Sequence, residues 1–217
     1  AQMAVALLLE IASRTSVFDH YIKEVGWNLA VDPQIAGVRQ IELSGKTIGI
    51  IGLGDIGTTV AQTAIALGMH VVAYRRHPDP SLESDRLRFV SLDEVYRVSD
   101  VISLHTPLND QSRGMICRES IAKMKDGVIL INAARGAIVE EKDVFEALDA
   151  GKIYAYGADV FVDEPTGDRS ALAHHPRCVA TPHVGWAARE TRERMIRISG
   201  ENLGRFIRGD LTNCVNR

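Results

Sequence analysis

The sequence predicts an α/β fold in which helices cover both faces of a doubly wound parallel sheet. Short apolar, β-branched runs alternate with helical segments along most of the 217 residues. These runs are apolar at consecutive positions, which is typical of strands buried on both faces. Strands of this kind, separated by helices, form a parallel sheet through right-handed crossovers. A glycine-rich turn between the first strand and the next helix indicates the same class.

The elements are predicted in chain order from apolar period and from residues that begin or end helices. Strands are expected over residues 46–52, 69–74, 100–106, 127–134, 153–160 and 178–182. Helices are expected over residues 55–68, from Ser91 onward, near 118–124, over 140–151 and from about 187 to 208. Ser91 and Glu94 have the spacing of a capping box, and Gly68 and Gly151 are placed to end helices. Residues 26–46 read as an irregular connection.

The N-terminal segment predicts a helix rather than a signal peptide. Glu10 interrupts its apolar run, no basic region precedes it, and no stretch approaches the roughly 18 apolar residues of a membrane span. Because Ala1 opens directly into a helical pattern without an initiator Met, we expect the chain to begin inside a larger gene product.

Composition excludes several classes of protein. The formal net charge of -3 and the pI of about 6.2 give no bulk attraction to nucleic acid or to an anionic membrane. The three cysteines, Cys117, Cys178 and Cys214, include no C-x-x-C pair, which argues against a disulfide scaffold and against a structural zinc site. We therefore expect no metal and a reducing, cytoplasmic setting.

Gly52, Gly54 and Gly57 have the G-x-G-x-x-G spacing, after a strand and at the start of a helix. Gly52 permits the tight turn, Gly54 lets the backbone approach a pyrophosphate, and Gly57 lets helix and strand pack closely. The helix N-terminus then offers N–H donors and a partial positive charge. Because strand, helix and second strand all stand where this mechanism needs them, the motif predicts a dinucleotide-binding unit.

Two arginines end the second strand of this unit. About 20 residues after the glycines, such units carry an acid that binds the adenosine ribose, and here Arg75 occupies that place. Its planar fork suits a 2′-phosphate, and Arg76 can add charge or lie on the adenine face. The pattern favours NADP, with NAD possible. The alternative is that both arginines are solvated and the ribose is held loosely.

Three polar residues follow directly on later strands, namely Arg135, Glu164 and His183. Because the carboxyl ends of parallel strands line the ligand crevice, we expect all three at one edge of the sheet. Imidazole is suited to give a proton to a carbonyl oxygen that accepts hydride, a carboxylate beside it favours the imidazolium, and Arg135 can bind a substrate carboxylate. Asp159 can either accept a hydrogen bond from a nicotinamide amide or cap its loop.

Each of these residues, taken singly, is more commonly a loop ion pair or a turn residue, so the prediction depends on their joint occurrence. Among the other histidines, the pair His174 and His175 is read as an exposed loop rather than a metal site. His105, before Thr106 and Pro107, is expected to shape the cofactor crevice.

In this order, the glycines and the stretches "LHTPL", "NAARG", "DVFVDEP" and "TPHVG" resemble the D-isomer-specific 2-hydroxyacid dehydrogenases over nearly the whole chain. The resemblance implies that Arg135 binds substrate and that Glu164 and His183 form an acid/base dyad. It also implies that Asp55, Ile56, Thr106, Ala133 and Asp159 contact the cofactor. The predicted cofactor site consists of these residues together with the three glycines, the two arginines and Pro107.

The resemblance further implies a second, substrate-binding domain that this chain lacks, and a homodimer. On this view 1–217 is one dinucleotide-binding domain, with 1–25 as an interdomain and dimer-side helix and 187–217 as a long C-terminal helix and tail. Arg75 in place of the usual acid resembles the family's NADPH-preferring glyoxylate and hydroxypyruvate reductases. Trp186 resembles the glycerate dehydrogenase-like branch, where it either shapes the substrate pocket or packs under the long helix.

The leading hypothesis is therefore an NAD(P)H-linked reductase of a small 2-keto acid such as glyoxylate or hydroxypyruvate. A dinucleotide-sensing binding protein of the corepressor type is the alternative from another class. A 3-phosphoglycerate dehydrogenase stays open too, because the basic residues that it needs would lie in the absent domain.

Overall fold

The computed structural model describes residues 1–27, 37–165, 170–210 and 212–213. The chain divides into two compact units, Ala1–Pro182 and His183–Arg217. The first unit contains the whole sheet and the helices that cover it. The second contains one long helix.

A parallel sheet of seven strands forms the centre of the first unit. The strands are β1 Thr47–Ile51, β2 His70–Tyr74, β3 Leu87–Phe89, β4 Val101–Leu104, β5 Val128–Asn132, β6 Ile153–Ala158 and β7 Cys178–Ala180. Their order is β3-β2-β1-β4-β5-β6-β7, and every pair is parallel. The chain therefore winds outward in one direction from β1 and in the other from β4, which confirms the doubly wound class.

The described helices lie before, between and after these strands. They are α1 Gln2–Ser13, α2 Thr15–Val25, α3 Asp55–Ala66, α4 Leu92–Val98, α5 Arg118–Ala122, α6 Glu141–Asp149 and α7 Arg189–Ile207, the last in the second unit. Short 3₁₀ turns occupy Pro80–Leu82 and Gly136–Ile138. Among the described residues, none of the helices combines the length and the apolar character that crossing a lipid bilayer requires.

The core consists of one apolar cluster on each face of the sheet. Residues of α1 and α3 pack in one cluster, and residues of α4, α5 and α6 pack in the other. Along β5, Ile129 and Ile131 belong to the first cluster, while Val128 and Leu130 belong to the second. The consecutive apolar positions in the sequence are thus explained by burial on both faces.

The observed elements differ from the predicted ones at three places. The strands and helices begin or end up to two residues earlier or later than expected, as is common at element ends. The helix expected over 1–25 is interrupted at Arg14, whose φ of 55° ends α1 and begins α2. Strand β3 was not predicted. Of the irregular connection at 26–46, residues 28–36 lie outside the described part, as do 211 and 214–217 of the C-terminal tail.

The exposed-loop interpretation of the two adjacent histidines is correct for one of them only. His174 is exposed, but His175 is only 6% exposed. Its Nε2 lies 3.2 Å from Asp149 Oδ1, and its Nδ1 accepts a hydrogen bond from Arg177 N–H. The ring also packs edge-on against Phe145. His175 is therefore a structural residue between α6 and β7.

Candidate functional site

The turn after β1 uses its three glycines for three different physical reasons. Gly52 has a φ of 98°, and a Cβ there would lie 2.6 Å from the carbonyl oxygen of His105. A Cβ on Gly57 would lie 2.1 Å from the carbonyl oxygen of Gly52. Gly54 faces open space, with no heavy atom within 4 Å of an added Cβ. Gly52 and Gly57 thus shape the turn, while Gly54 leaves room for a ligand at the N-terminus of α3.

An open cavity of about 410 Å³ lies beside this turn. Its walls come from the turn, from the end of β2 and from the loop after β4. These elements meet because β2 and β4 are both hydrogen-bonded to β1. Six of the predicted cofactor residues line it, namely Gly52, Gly54, Arg75, Arg76, Thr106 and Pro107. His105 lines it as well.

The other five predicted cofactor residues lie outside this cavity. Asp55 and Ile56 begin α3, and the Ile56 side chain is 55% exposed. Gly57 is buried beneath the turn. Ala133 directly follows β5, and the buried Asp159 directly follows β6. Ala133 and Asp159 therefore lie farther along the same carboxyl edge of the sheet.

Arg75 and Arg76 supply the charge of the cavity. Among the described residues that line it there is no Asp or Glu. Arg75 is half-buried, and Arg76 is exposed, with its Nη2 donating a hydrogen bond to Gln111 Oε1. Hydrogen bonds from Ser81, and in smaller part the charge of Arg75, hold the pKa of Asp79 below its usual range. The cavity therefore presents cationic donors that suit a phosphate group.

His105 adds no positive charge to this cavity. Burial lowers the pKa of its imidazole to about 4, so the ring is neutral near pH 7. Its Nε2 lies 2.8 Å from Ser103 Oγ, a hydrogen-bonding contact that holds the ring. The attraction of this cavity for anions thus comes from the two arginines and from the helix N-terminus.

The loop after β5 carries Arg135 and is held by the last residue of the strand. The buried Asn132 donates from Nδ2 to the carbonyl oxygen of Arg135 and accepts at Oδ1 from Ala134 N–H, at 3.0 and 3.1 Å. The exposed Arg135 guanidinium donates from Nη1 to the carbonyl oxygen of Ala134. A Cβ on Gly136 would lie 2.0 Å from the carbonyl group of Phe161. The loops after β5 and β6 are therefore in direct backbone contact.

The loop after β6 carries Glu164 and is fixed by two carboxylates. Glu164 Oε1 accepts a 2.8 Å hydrogen bond from Phe161 N–H. Glu141, at the start of α6, accepts a 2.8 Å hydrogen bond from Val162 N–H. The structure thus places Arg135 and Glu164 on adjoining loops, and their catalytic roles stay predictions.

His183 begins the second unit, shortly after the end of β7. Its φ of 52° is a left-handed backbone conformation that few residues other than glycine adopt. Trp186, in the same unit, is 52% exposed. Within the first unit, Thr181 Oγ1 donates a 2.6 Å hydrogen bond to Asp159 Oδ1 and so joins the ends of β6 and β7. The pairing of His183 with Glu164 stays a prediction.

Sequence reasoning missed two residues that shape these loops. Gln111 lines the cavity and contacts Arg76, from which it is separated by 35 positions in sequence. Glu141 holds the loop that carries Glu164. The stretch from Asn109 to Ser112 has the composition of a turn, and it could have indicated an ordered, hydrogen-bonded turn at this place. Nothing in the sequence signals the two long-range contacts.

Comparisons with known proteins agree with this geometry. Residues 5–185 match the family described as "D-isomer specific 2-hydroxyacid dehydrogenase, NAD binding domain". A hydroxypyruvate reductase of Blautia hydrogenotrophica is 42% identical over 216 residues, which is 100% of this chain and 67% of that protein. A crystal structure of a glyoxylate reductase from Paecilomyes thermophila matches with a TM-score of 0.86 and 34% identity, over 99% of this chain and 64% of that one.

A D-lactate dehydrogenase from Aquifex aeolicus, solved in complex with NAD and lactic acid, matches with a TM-score of 0.85 and 32% identity, over 97% of this chain and 66% of that one. The chain spans 62% to 67% of the length of the hydroxypyruvate and glyoxylate reductases that it matches.

Proposed function

Because this chain belongs to the D-isomer specific 2-hydroxyacid dehydrogenase family, whose NAD binding domain it matches over residues 5–185, we propose that it binds NADP in preference to NAD and serves the reduction of a small 2-keto acid. Reductases of hydroxypyruvate and of glyoxylate among its relatives support this substrate class. Because the chain spans only 67% and 65% of the length of these two reductases, we propose the catalytic role for a longer protein that also has a substrate-binding part.

The charge of the cavity carries the cofactor preference. The phosphate loop and the space at Gly54 fit a pyrophosphate, and the cavity beside them fits the adenosine end of a dinucleotide. At the end of β2 an acid would accept hydrogen bonds from a ribose 2′-hydroxyl and repel a 2′-phosphate. Arg75 and Arg76 stand there instead, and no carboxylate is among the described residues that line the cavity. This arrangement favours the cofactor that carries the phosphate.

The proposed mechanism assigns one task to each of three residues. NADPH, when held by the phosphate loop and Arg75, would supply a hydride to the carbonyl carbon of the 2-keto acid. His183 gives its proton to the carbonyl oxygen, so that the product is the D-2-hydroxy acid. Glu164 orients the His183 ring for that transfer. Arg135 binds the substrate carboxylate through parallel N–H donors and stabilises charge on the reacting oxygen.

The loop geometry supports this division of tasks. Arg135 is exposed and lies on a loop that Asn132 holds, and that loop contacts the one that carries Glu164. A homodimer in a reducing, cytoplasmic compartment completes the proposal.

The cofactor proposal is tested by titrating the 217-residue chain with NADPH and NADH in parallel and measuring Kd by fluorescence or calorimetry. We expect NADPH to bind more tightly, and Arg75→Asp to reverse the preference. Arg97→Ala, which removes an exposed arginine on α4, is the matched control and should leave both Kd values unchanged. Equal affinities in the unmodified chain, or an unchanged ratio in Arg75→Asp, would remove the NADP assignment.

The catalytic proposal is tested on the longer protein with glyoxylate and hydroxypyruvate, by following NADPH oxidation. His183→Asn should lower kcat by about 10²-fold or more, because it removes the proton donor. Retention of most of the activity would refute the mechanism. Recruitment of a protein partner that requires dinucleotide but survives His183→Asn would instead favour the corepressor alternative.

A further inference from the structure

A hydrogen bond between two loops spans the dinucleotide cavity. Arg76 follows β2, Gln111 follows β4, and the Nη2 of Arg76 donates to the Oε1 of Gln111. Both residues line the cavity. The contact therefore joins the two walls between which the adenosine end of a dinucleotide would enter.

Gln111 is placed by a tightly bonded turn. The Asn109 side chain accepts hydrogen bonds from the N–H groups of Gln111 and Ser112, at 3.0 and 3.1 Å. The Ser112 hydroxyl donates a 2.7 Å hydrogen bond to the carbonyl oxygen of Pro107, and Ser112 is only 3% exposed. These bonds fix the backbone from which the Gln111 side chain extends toward Arg76.

Arg75 differs from Arg76 in its surroundings. Its guanidinium makes no hydrogen bond or ion pair with the part of the chain that the structure describes. Its charge contributes to the lowered pKa of the nearby Asp79. Arg75 is half-buried in the cavity wall, whereas Arg76 is exposed. The N–H donors of Arg75 are thus available to a ligand, while one edge of the Arg76 guanidinium is already hydrogen-bonded to Gln111.

We propose that Gln111 is a positioning residue that holds Arg76 as a flat cover for the adenine ring, and that Arg75 alone recognises the 2′-phosphate. A guanidinium that is hydrogen-bonded at its edge keeps its face free for stacking on an aromatic ring. The same cavity has apolar lining from Leu92, Pro107 and Met115, which suits the other side of a purine. The inference rests on the proposed NADP site and assigns different tasks to its two arginines.

The test measures Kd for NADPH and NADH with Arg75→Ala, Arg76→Ala and Gln111→Leu. Arg75→Ala should weaken NADPH binding by about 10-fold or more and leave NADH binding nearly unchanged, because it removes a charge-assisted hydrogen bond to the 2′-phosphate. Arg76→Ala and Gln111→Leu should each weaken the binding of NADPH and of NADH by a similar factor, about 3- to 10-fold, because both nucleotides contain the adenine. The double variant Arg76→Ala/Gln111→Leu should bind each nucleotide no more weakly than Arg76→Ala alone.

Two further variants separate positioning from a general structural effect. Gln111→Glu keeps an acceptor for Arg76 and should retain NADH affinity within about twofold. Asp110→Ala changes an exposed neighbour that does not line the cavity and should alter neither Kd. Thermal melting of each variant shows that it is folded.

The inference is overturned if Arg76→Ala or Gln111→Leu lowers NADPH affinity selectively, or if Gln111→Leu changes neither affinity. Failure of the proposed NADP preference gives a different result. In that case the unmodified chain binds both nucleotides equally and Arg75→Ala leaves their ratio unchanged, which refutes the phosphate role of Arg75. Parallel losses in Arg76→Ala and Gln111→Leu would still support the adenine cover.

Discussion

At the scale of single residues, two glycines of the phosphate loop have different tasks: Gly57 is required for packing, and Gly54 for ligand binding. A Cβ on Gly57 would meet the Gly52 carbonyl oxygen at 2.1 Å, and backbone on both sides cannot move away cheaply. We expect Gly57→Ala to lower the free energy of unfolding by about 1 to 3 kcal/mol, as overpacked core positions do. Urea denaturation followed by circular dichroism measures this.

Gly54→Ala is the matched control for that substitution. An added Cβ on Gly54 has no neighbour within 4 Å, and the φ of Gly54 is −90°, which alanine adopts without strain. This variant should keep its stability within about 0.5 kcal/mol but bind dinucleotide more weakly, because the methyl group occupies the approach to the pyrophosphate. Equal stabilities for Gly54→Ala and Gly57→Ala would contradict the packing argument.

His105 links stability to pH. Its pKa is about 4 in the folded chain because of burial, against about 6.5 when unfolded, so the unfolded chain binds more protons between these values. The stabilisation from the neutral ring is complete above pH 6.5 and is lost as the pH falls toward 4, by about 3 kcal/mol at most. Denaturant titrations at several pH values should show this slope, and His105→Asn should reduce it. An identical slope in the variant would exclude His105 as its cause.

At the scale of elements, Asp100 joins the amino ends of neighbouring strands. Its carboxylate accepts 2.8 Å hydrogen bonds from Thr47 N–H at the start of β1 and from Lys125 Nζ before β5. Burial alone would raise the pKa of Asp100, but these donors lower it overall. Asp100→Ala should therefore cost about 1 to 3 kcal/mol of unfolding free energy.

Asp126→Ala provides the comparison for Asp100, since Asp126 pairs with Lys152 at 2.7 Å but its side chain is 90% exposed. An exposed ion pair of this kind contributes less than about 1 kcal/mol. Chemical denaturation of both variants measures the difference. A loss in Asp126→Ala as large as that in Asp100→Ala would show that burial is not what distinguishes them.

At the scale of the whole molecule, the two units differ in how their helices are stabilised. Helix α7 has no buried residue, and five of its apolar side chains are more than half exposed, namely Met195, Ile196, Leu203, Phe206 and Ile207. Its ion pairs at i and i+4, such as Arg189 with Glu193, contribute only a few tenths of a kcal/mol each. Within its own unit, a 19-residue helix with no buried residue and only such pairs is marginally stable in water.

We therefore expect the backbone amides of α7 to exchange with deuterium much faster than those of β1, β4 and β5. Those strands are buried on both faces, and their hydrogen bonds open only in large unfolding events. Hydrogen exchange followed by mass spectrometry on the 217-residue chain makes the comparison. Protection of α7 equal to that of the central strands would contradict the prediction.

The sequence by itself determined the fold class, because the spacing of apolar residues along a segment shows which of its faces are buried. The six predicted strands all exist, and the phosphate loop stands between β1 and α3 as its spacing requires. Strand β3 escaped prediction because "LRF" is only three residues long, lies at the sheet edge and has a charged residue at its centre. The break at Arg14 escaped it because no glycine or proline marks it.

Only the tertiary structure decided which distant residues share a site. Apolar period does not say which strands are neighbours, and the strand order places the ends of β2 and β4 on either side of β1. That order brings Arg76 to Gln111 and presses Gly136 against Phe161, contacts between segments far apart in the chain. The arginines after β2 were visible in the sequence, but the different surroundings of Arg75 and Arg76 arise from a loop that only folding brings to them.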